Sequence, residues 1–486
     1  MEIPLSTASR PPTGSLRGAF PEGFMFGTAT SAFQIEGATT EKESGRKPSV
    51  WDTFAKEEAG RETGGVNEEG KKFYNDLIDE LKANGYASTS TQLTCYHKVY
   101  YNAILYAGIE PFVCLFHWDF PQALEDEYGG FMPHRSCHHD PPVVKDFVDY
   151  ADFCFRTYGD RVKHWITICG PWSYAYSGYG VGTFAPGRGY SLSENQQLLE
   201  MSVFPASRHF SLLRLNTRSS FDLDLGDPGR EPYTLPNGEV GEIGIILQQM
   251  WPIPYSQSKE DQGAAQRAKD FMLGWFMEPL IFGDYPKSMK ALVGRRLPKF
   301  TPQESRMIKG TYDFIALNYY TANYSVNAPD HSHGKPHVAR DSQDHETSWI
   351  HEYPEGLLDY LLYVKNKYND PKIYIAENGI DQYDDPESPL PLWEALSDYK
   401  RVSYYNKHLS ILKTAIDKYG VKVKGYFTWS LLDNFEWNSS LPPRYGHFYV
   451  DYNDNLKRYP KLSAEWFKTH LQKPLPFPPS WTRDEK

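Results

Sequence analysis

Lys372-Ile373-Tyr374-Ile375-Ala376-Glu377-Asn378-Gly379 is the stretch on which the fold turns. Ile373 to Ala376 is a short apolar run rich in β-branched and aromatic residues, and it ends abruptly on an acid, an amide and a glycine. That is how a buried strand reads when its last residues enter a loop. Six further runs of this kind recur: Phe24 to Ala32, Pro111 to Phe116, His164 to Ile168, Glu242 to Gln248, Tyr312 to Leu317 and Val423 to Trp429. Between them lie longer stretches with apolar residues every three to four positions: Lys71 to Ala83, Val143 to Tyr158, Glu260 to Phe276, Glu355 to Lys367 and Leu396 to Lys418. Strands alternating with helices predict a parallel sheet. A length of 486 residues is compatible with one (β/α)8 TIM barrel, since such barrels run well past ~250 residues as a single unit.

No Gly/Ser-rich or Pro-rich linker divides the chain. The expected organisation is a flexible extension over residues 1–19, one barrel over 20–472 and a Pro-containing tail over 473–486. Seven strand runs are legible where closure needs eight.

Composition narrows the function. The formal charge is −11 and no Lys/Arg-rich block appears, so the basic footprint of a nucleic-acid binder is absent. No run of ~18 apolar residues suggests a membrane span. Five cysteines at irregular spacing make no disulfide framework, and Met1 to Arg17 lacks the apolar core of a secretory signal; a cytoplasmic protein is expected. Oligomeric state, a homo-oligomer included, is left open. Aromatic residues reach 15 %, and flat rings carrying one polar atom suit the faces of sugars as well as cores.

In a barrel of this kind the site lies at the C-terminal ends of the strands. Those ends carry Gln34 and Glu36, His117, Trp118 and Asp119, Cys169 and Gly170, Asn318 and Tyr320, Glu377 and Asn378, and Trp429 with Glu436 and Trp437. Amides, carboxylates and imidazoles bind hydroxyls, and indole faces cover the apolar side of a sugar ring. Singly, each has a plain structural reading: His117 as a core histidine, Trp437 as packing, Gln34 as a turn residue, Glu377 as a solvated acid. Their recurrence at successive strand ends points to one pocket for a small glycoside.

The segments FMFGTATSAFQIEG (24–37), LFHWD (115–119), ALEDEYGG (123–130), APGR (185–188), NYYT (318–321), IAENG (375–379) and WSLLDNFEW (429–437) resemble the plant β-glucosidases of glycoside hydrolase family 1, across nearly the whole chain. Phe271 to Met289 is similar to the alkaloid glucosidases acting on strictosidine or raucaffricine. The resemblance implies that Glu377 is the nucleophile, that Gln34, His117, Trp118, Trp429, Glu436 and Trp437 grip the glucose, that Asn318 lies in the substrate site, and that Tyr320 hydrogen-bonds the nucleophile. It implies no cofactor.

Three stretches depart from the family. In one of them, Thr234 to Val240, a long helix is expected before Gly241, but the segment is too short and too rich in Pro and Gly to form it, so one outer helix is expected to be atypical or missing. Where the family carries its acid/base on Thr-x-Asn-Glu-Pro, this chain has Thr167-Ile168-Cys169-Gly170-Pro171. Gly170 has no proton to give, and Cys169 does not replace the amide. Between Ala87 and Thr94 the family has a strand bearing an Arg beside the nucleophile; no Arg stands there, so the resemblance implies a second strand that is atypical or missing. The reading that follows is a retaining β-glucosidase of plant secondary metabolites with impaired turnover; the alternative is a non-catalytic glucoside or aglycone binder. His134, Cys137, His138, His139 and Asp140 lack the paired spacing of zinc sites, so no metal is expected.

Overall fold

Each of the seven apolar runs forms a strand, and an eighth joins them. The structure, a computed structural model, describes residues 16–35, 48–56, 87–89, 110–131, 142–188, 241–328, 344–346 and 352–471. The barrel strands are β1 (Met25–Ala29), β2 (Ala87–Thr89), β3 (Pro111–Cys114), β4 (His164–Cys169), β5 (Glu242–Gln248), β6 (Phe314–Asn318), β7 (Ile373–Glu377) and β8 (Val423–Trp429). They follow one another around a closed barrel in chain order, all parallel, and β8 returns to β1 with Met25 opposite Gly425.

The strand that the apolar pattern left out is β2. Its three residues pair with Gly27 to Ala29 on one side and with Pro111 and Phe112 on the other. The second strand is therefore present and short. Its neighbours' backbone groups make Ala87 to Thr89 a strand, and small polar residues carry no periodic signal to reveal it. The helix expected over 71–83, the segment 189–240 and residues 1–15 and 472–486 lie outside the described residues, so the expectation of a missing outer helix does too, while Leu16–Ala19 of the expected extension is helical.

The barrel interior is a packed core of Phe112, Ile166, Ile246, Phe314, Tyr374 and Phe427. Gly244 on β5 is required there, since a Cβ would stand 2.2 Å from the Phe314 ring. At the N-terminal end of the barrel, His164 stacks on Phe112 at 4.1 Å and lies between Glu110 and Glu242. Burial opposes the charge of Glu242, but His164 and Lys372 outweigh it and hold this carboxyl down to about 2. This end is plugged and paired, which leaves the opposite end for ligands.

Outside the strands, Pro142–Tyr158 and Pro354–Lys367 form the expected helices, and Tyr399–Asp417 forms most of another. The predicted helix over Glu260 to Phe276 is broken into three parts: Lys259–Lys269, a π-helical turn at Asp270–Gly274, and Trp275–Phe282 containing Pro279. Pro279 offers no N–H to the carbonyl four residues back, and the wider turn precedes that gap.

Arg401 pins the outer layer to the loops above β7 and β8. It is 1 % exposed, pairs with Asp398, and donates to the carbonyls of Ile380, Arg444 and Gly446. Arg401→Met should cost about 3–5 kcal/mol, because it leaves the buried Asp398 charge without its cation. Urea denaturation of the variant checks this.

Candidate active site

The C-terminal strand ends bring the predicted residues into one continuous set of contacts. Beyond β3 the ladder persists: Leu115 N–H donates to Ile166, Cys169 N–H to Phe116, and Gly170 N–H to Ile246. These bonds set His117 and Trp118 beside Cys169 and Gly170. Trp118 Nε1 donates to the Cys169 carbonyl at 2.8 Å. Its indole lies 4.5 Å from that of Trp437, and the His117 ring lies 5.5 Å from Trp437 and 6.0 Å from Trp429. Trp429 Nε1 donates to Glu436 Oε1 at 3.1 Å.

Glu377, the last residue of β7, is 5 % exposed. Its Oε2 accepts the Tyr320 hydroxyl at 2.6 Å, and its Oε1 accepts the Cys169 thiol at 3.5 Å. Asn318 Nδ2 reaches Cys169 Sγ at 3.7 Å. Burial raises the Glu377 carboxyl to about 7 against these donors, and among the described residues no cation opposes the rise. Burial and the charge of Glu377 likewise push Glu436 up to about 8. Burial drops His117 to about 3, so its imidazole is neutral.

Gln34 reaches the site by another route. Nε2 donates to Asn434 Oδ1 at 2.8 Å and to the Phe435 carbonyl at 2.9 Å, while Oε1 accepts from Ser31. Both amide protons are spent on the loop that carries Glu436, so Gln34 holds that loop and retains only an acceptor for a sugar hydroxyl. Asn434 is the partner the sequence reading missed, and its place in NFEW beside Glu436 was the available signal. Asn378 turns away from the pocket: it donates to the Tyr319 carbonyl and to Tyr404, and accepts from Tyr426. Glu36 and the His134 to Asp140 cluster lie outside the described residues.

Two tryptophans of the pocket adopt backbone conformations that large side chains rarely take, Trp118 at φ 75° and Trp437 at φ 51°. Such positions persist only where the surroundings over-determine them, and they gather at binding sites. Gly170 is also left-handed, with φ 52°, and a Cβ there would stand 3.2 Å from Trp118 Cζ2. The indole of Trp118 therefore closes in on the position where a proton-donating side chain would begin.

The arrangement supplies one buried carboxyl held by a phenol, a second carboxyl on an aromatic wall, and a neutral imidazole. Among the described residues no helix is long and apolar enough to cross a membrane.

Residues 16–63 and 87–474 match the family described as Glycosyl hydrolase family 1. Beta-glucosidase 12 of Oryza sativa subsp. indica is 41 % identical over 524 residues, spanning 96 % of this chain and 95 % of its own length. Raucaffricine-O-beta-D-glucosidase of Rauvolfia serpentina is 39 % identical over 540 residues, spanning 94 % and 92 %. The crystal structure of rice Os3BGlu6 β-glucosidase superposes with a TM-score of 0.77 at 36 % identity, covering 95 % of this chain and all of that one.

Proposed function

The chain belongs to glycosyl hydrolase family 1 and is a glycoside hydrolase of the plant β-glucosidase type, and from that premise we propose that it cleaves O-glucosides of plant secondary metabolites slowly, through Glu377 as nucleophile. The observation that carries this reading is the pairing of an intact Glu377–Tyr320 bond with a bare Gly170 beside it. Similarity to raucaffricine-O-beta-D-glucosidase supports alkaloid glucosides as one substrate class.

A Glu377 oxygen attacks the anomeric carbon and the bond from that carbon to the aglycone oxygen breaks. The aglycone departs with the electron pair and takes its proton from water. Water then attacks the glucosyl ester, returns Glu377 as carboxylate and releases its own proton to solvent. His117, Trp429, Glu436 and Trp437 hold the glucose through both steps. Without a positioned acid, the first step depends on the stability of the departing oxyanion.

Incubation with an activated 2-deoxy-2-fluoroglucoside should leave a glucosyl adduct on the peptide containing Glu377, read by mass spectrometry. An unlabelled Glu377 peptide after saturating exposure would count against the reading. In a pH series with an activated aryl glucoside, kcat/KM should rise as pH passes about 7, because Glu377 must lose its proton to attack and burial raises its carboxyl to that value. A rate that falls between about pH 6 and about pH 7.5 contradicts the assignment.

The second reading, a glucoside binder without turnover, is favoured by the indole of Trp118 lying against Gly170. It predicts glucoside binding by calorimetry with neither adduct nor product.

A further inference from the structure

We propose that His117, Cys169 and Glu377 together form a three-ligand site for a borderline-soft divalent cation of the zinc class, at the floor of the glucose pocket. All three are buried, and a ring nitrogen, the thiol sulfur and a carboxylate oxygen lie within 4.8 Å of one another. One edge of that triangle is already set: Cys169 Sγ stands 3.5 Å from Glu377 Oε1. Tetrahedral zinc, with Zn–S near 2.3 Å and Zn–O near 2.1 Å, separates sulfur from oxygen by about 3.6 Å. The imidazole has to close by at most about 1.4 Å to complete the face.

Among the described residues, two buried polar atoms around this triangle have no hydrogen-bond partner. Nδ1 of His117 is one, on a side chain 3 % exposed. The other is Oδ1 of Asn318, whose Nδ2 lies against Cys169 Sγ. Where Nδ1 is the nitrogen that faces the ion, it gains the partner it lacks, and Asn318 Nδ2 is placed to support the sulfur.

The donor set decides the class of ion. One nitrogen, one sulfur and one oxygen suit zinc and its spectroscopic stand-in cobalt. Magnesium and calcium call for oxygen donors in greater number. Three protein ligands leave a fourth tetrahedral position for water. On binding, the thiol proton passes to solvent and the sulfur electron pair forms the metal bond; nothing is oxidised or reduced.

The site needs only the three side chains, whether or not the protein turns over a glucoside. Where Glu377 also serves as nucleophile, metal and glucoside exclude one another.

The test uses the intact protein, stripped with chelator and titrated with cobalt(II) while the thiolate-to-cobalt charge-transfer absorption is followed. The expected result is a band that saturates at one equivalent and is displaced by zinc. It should disappear in Cys169→Ser and in Cys169→Ala, and His117→Gln should weaken the apparent affinity at least about ten-fold. Cys137→Ser and Cys95→Ser should leave it intact, with folding checked by circular dichroism throughout. Absence of the band in the wild type at saturating cobalt overturns the proposal. So does a band that survives in Cys169→Ser, whichever cysteine then proves to carry it. Neither outcome alters the Glu377 adduct experiment, so the two readings fail separately.

Discussion

Gly170→Glu, introduced with Cys169→Asn, is expected to raise kcat on an unactivated alkyl glucoside by about 10²–10⁴-fold, the span over which a positioned acid/base commonly acts. The pair restores the amide and carboxyl that plant family 1 β-glucosidases carry in this segment. The wild-type backbone is not neutral toward the change. Gly170 has φ 52°, a conformation that costs a non-glycine residue about 1–2 kcal/mol, and the new Cβ meets Trp118 Cζ2 at 3.2 Å. The ring must yield by a few tenths of an ångström, so the gain should fall toward the lower end of the span. The tryptophan fluorescence of the folded variant should change as Trp118 shifts. Initial rates on alkyl and aryl glucosides, measured side by side, check the prediction: the alkyl substrate gains most because it depends most on a proton donor.

Glu377→Gln should remove measurable hydrolysis, a fall of at least about 10³-fold on an activated aryl glucoside. The amide keeps the volume and can still accept the Tyr320 hydroxyl, so the loss reports the missing nucleophile. A second readout separates this from damage to the fold. The folded-state carboxyl sits at about 7 against an ordinary 4.5, raised by burial. Its proton is held longer in the folded than in the unfolded chain, so wild-type stability falls as pH climbs from about 4.5 to about 7. A glutamine side chain at this position does not titrate. The variant should therefore gain on the wild type by up to about 3 kcal/mol between about pH 4 and about pH 8. Denaturant midpoints at the two pH values measure it. A variant that loses activity and also loses stability at the higher pH would indicate collapse of the site.

The barrel was legible wherever a strand is buried on both faces. Glu242–Gln248 and Val423–Trp429 have the bounds their apolar runs predict. Ala87–Thr89 was not legible, because a strand held by its neighbours' hydrogen bonds needs no apolar signature of its own. The helix over Glu260 to Phe276 looked continuous because apolar spacing does not register a lost N–H, and Pro279 lies just beyond the predicted end.

The site was legible as a set of strand-end residues, and His117, Trp118, Asn318, Tyr320, Glu377, Trp429, Glu436 and Trp437 do meet at one end of the barrel. What single residues do inside that set depended on partners far away in sequence. Gln34 reads as a sugar contact until Asn434 and Phe435 are found to hold both its amide protons. Cys169 reads as a lost amide until its sulfur is placed between Asn318 and Glu377. No spacing rule joins residues 117, 169 and 377, so the cation site could emerge only from three dimensions.

The central claim is that a functional nucleophile works beside an empty acid position. Its most direct test is the dependence of wild-type kcat/KM on the basicity of the leaving group across a series of aryl glucosides. A steep decline is expected as the departing phenol becomes more basic, flattened in the Gly170→Glu, Cys169→Asn variant. A wild-type rate indifferent to leaving-group basicity would contradict it, since that indifference requires a proton donor the pocket does not hold at Gly170.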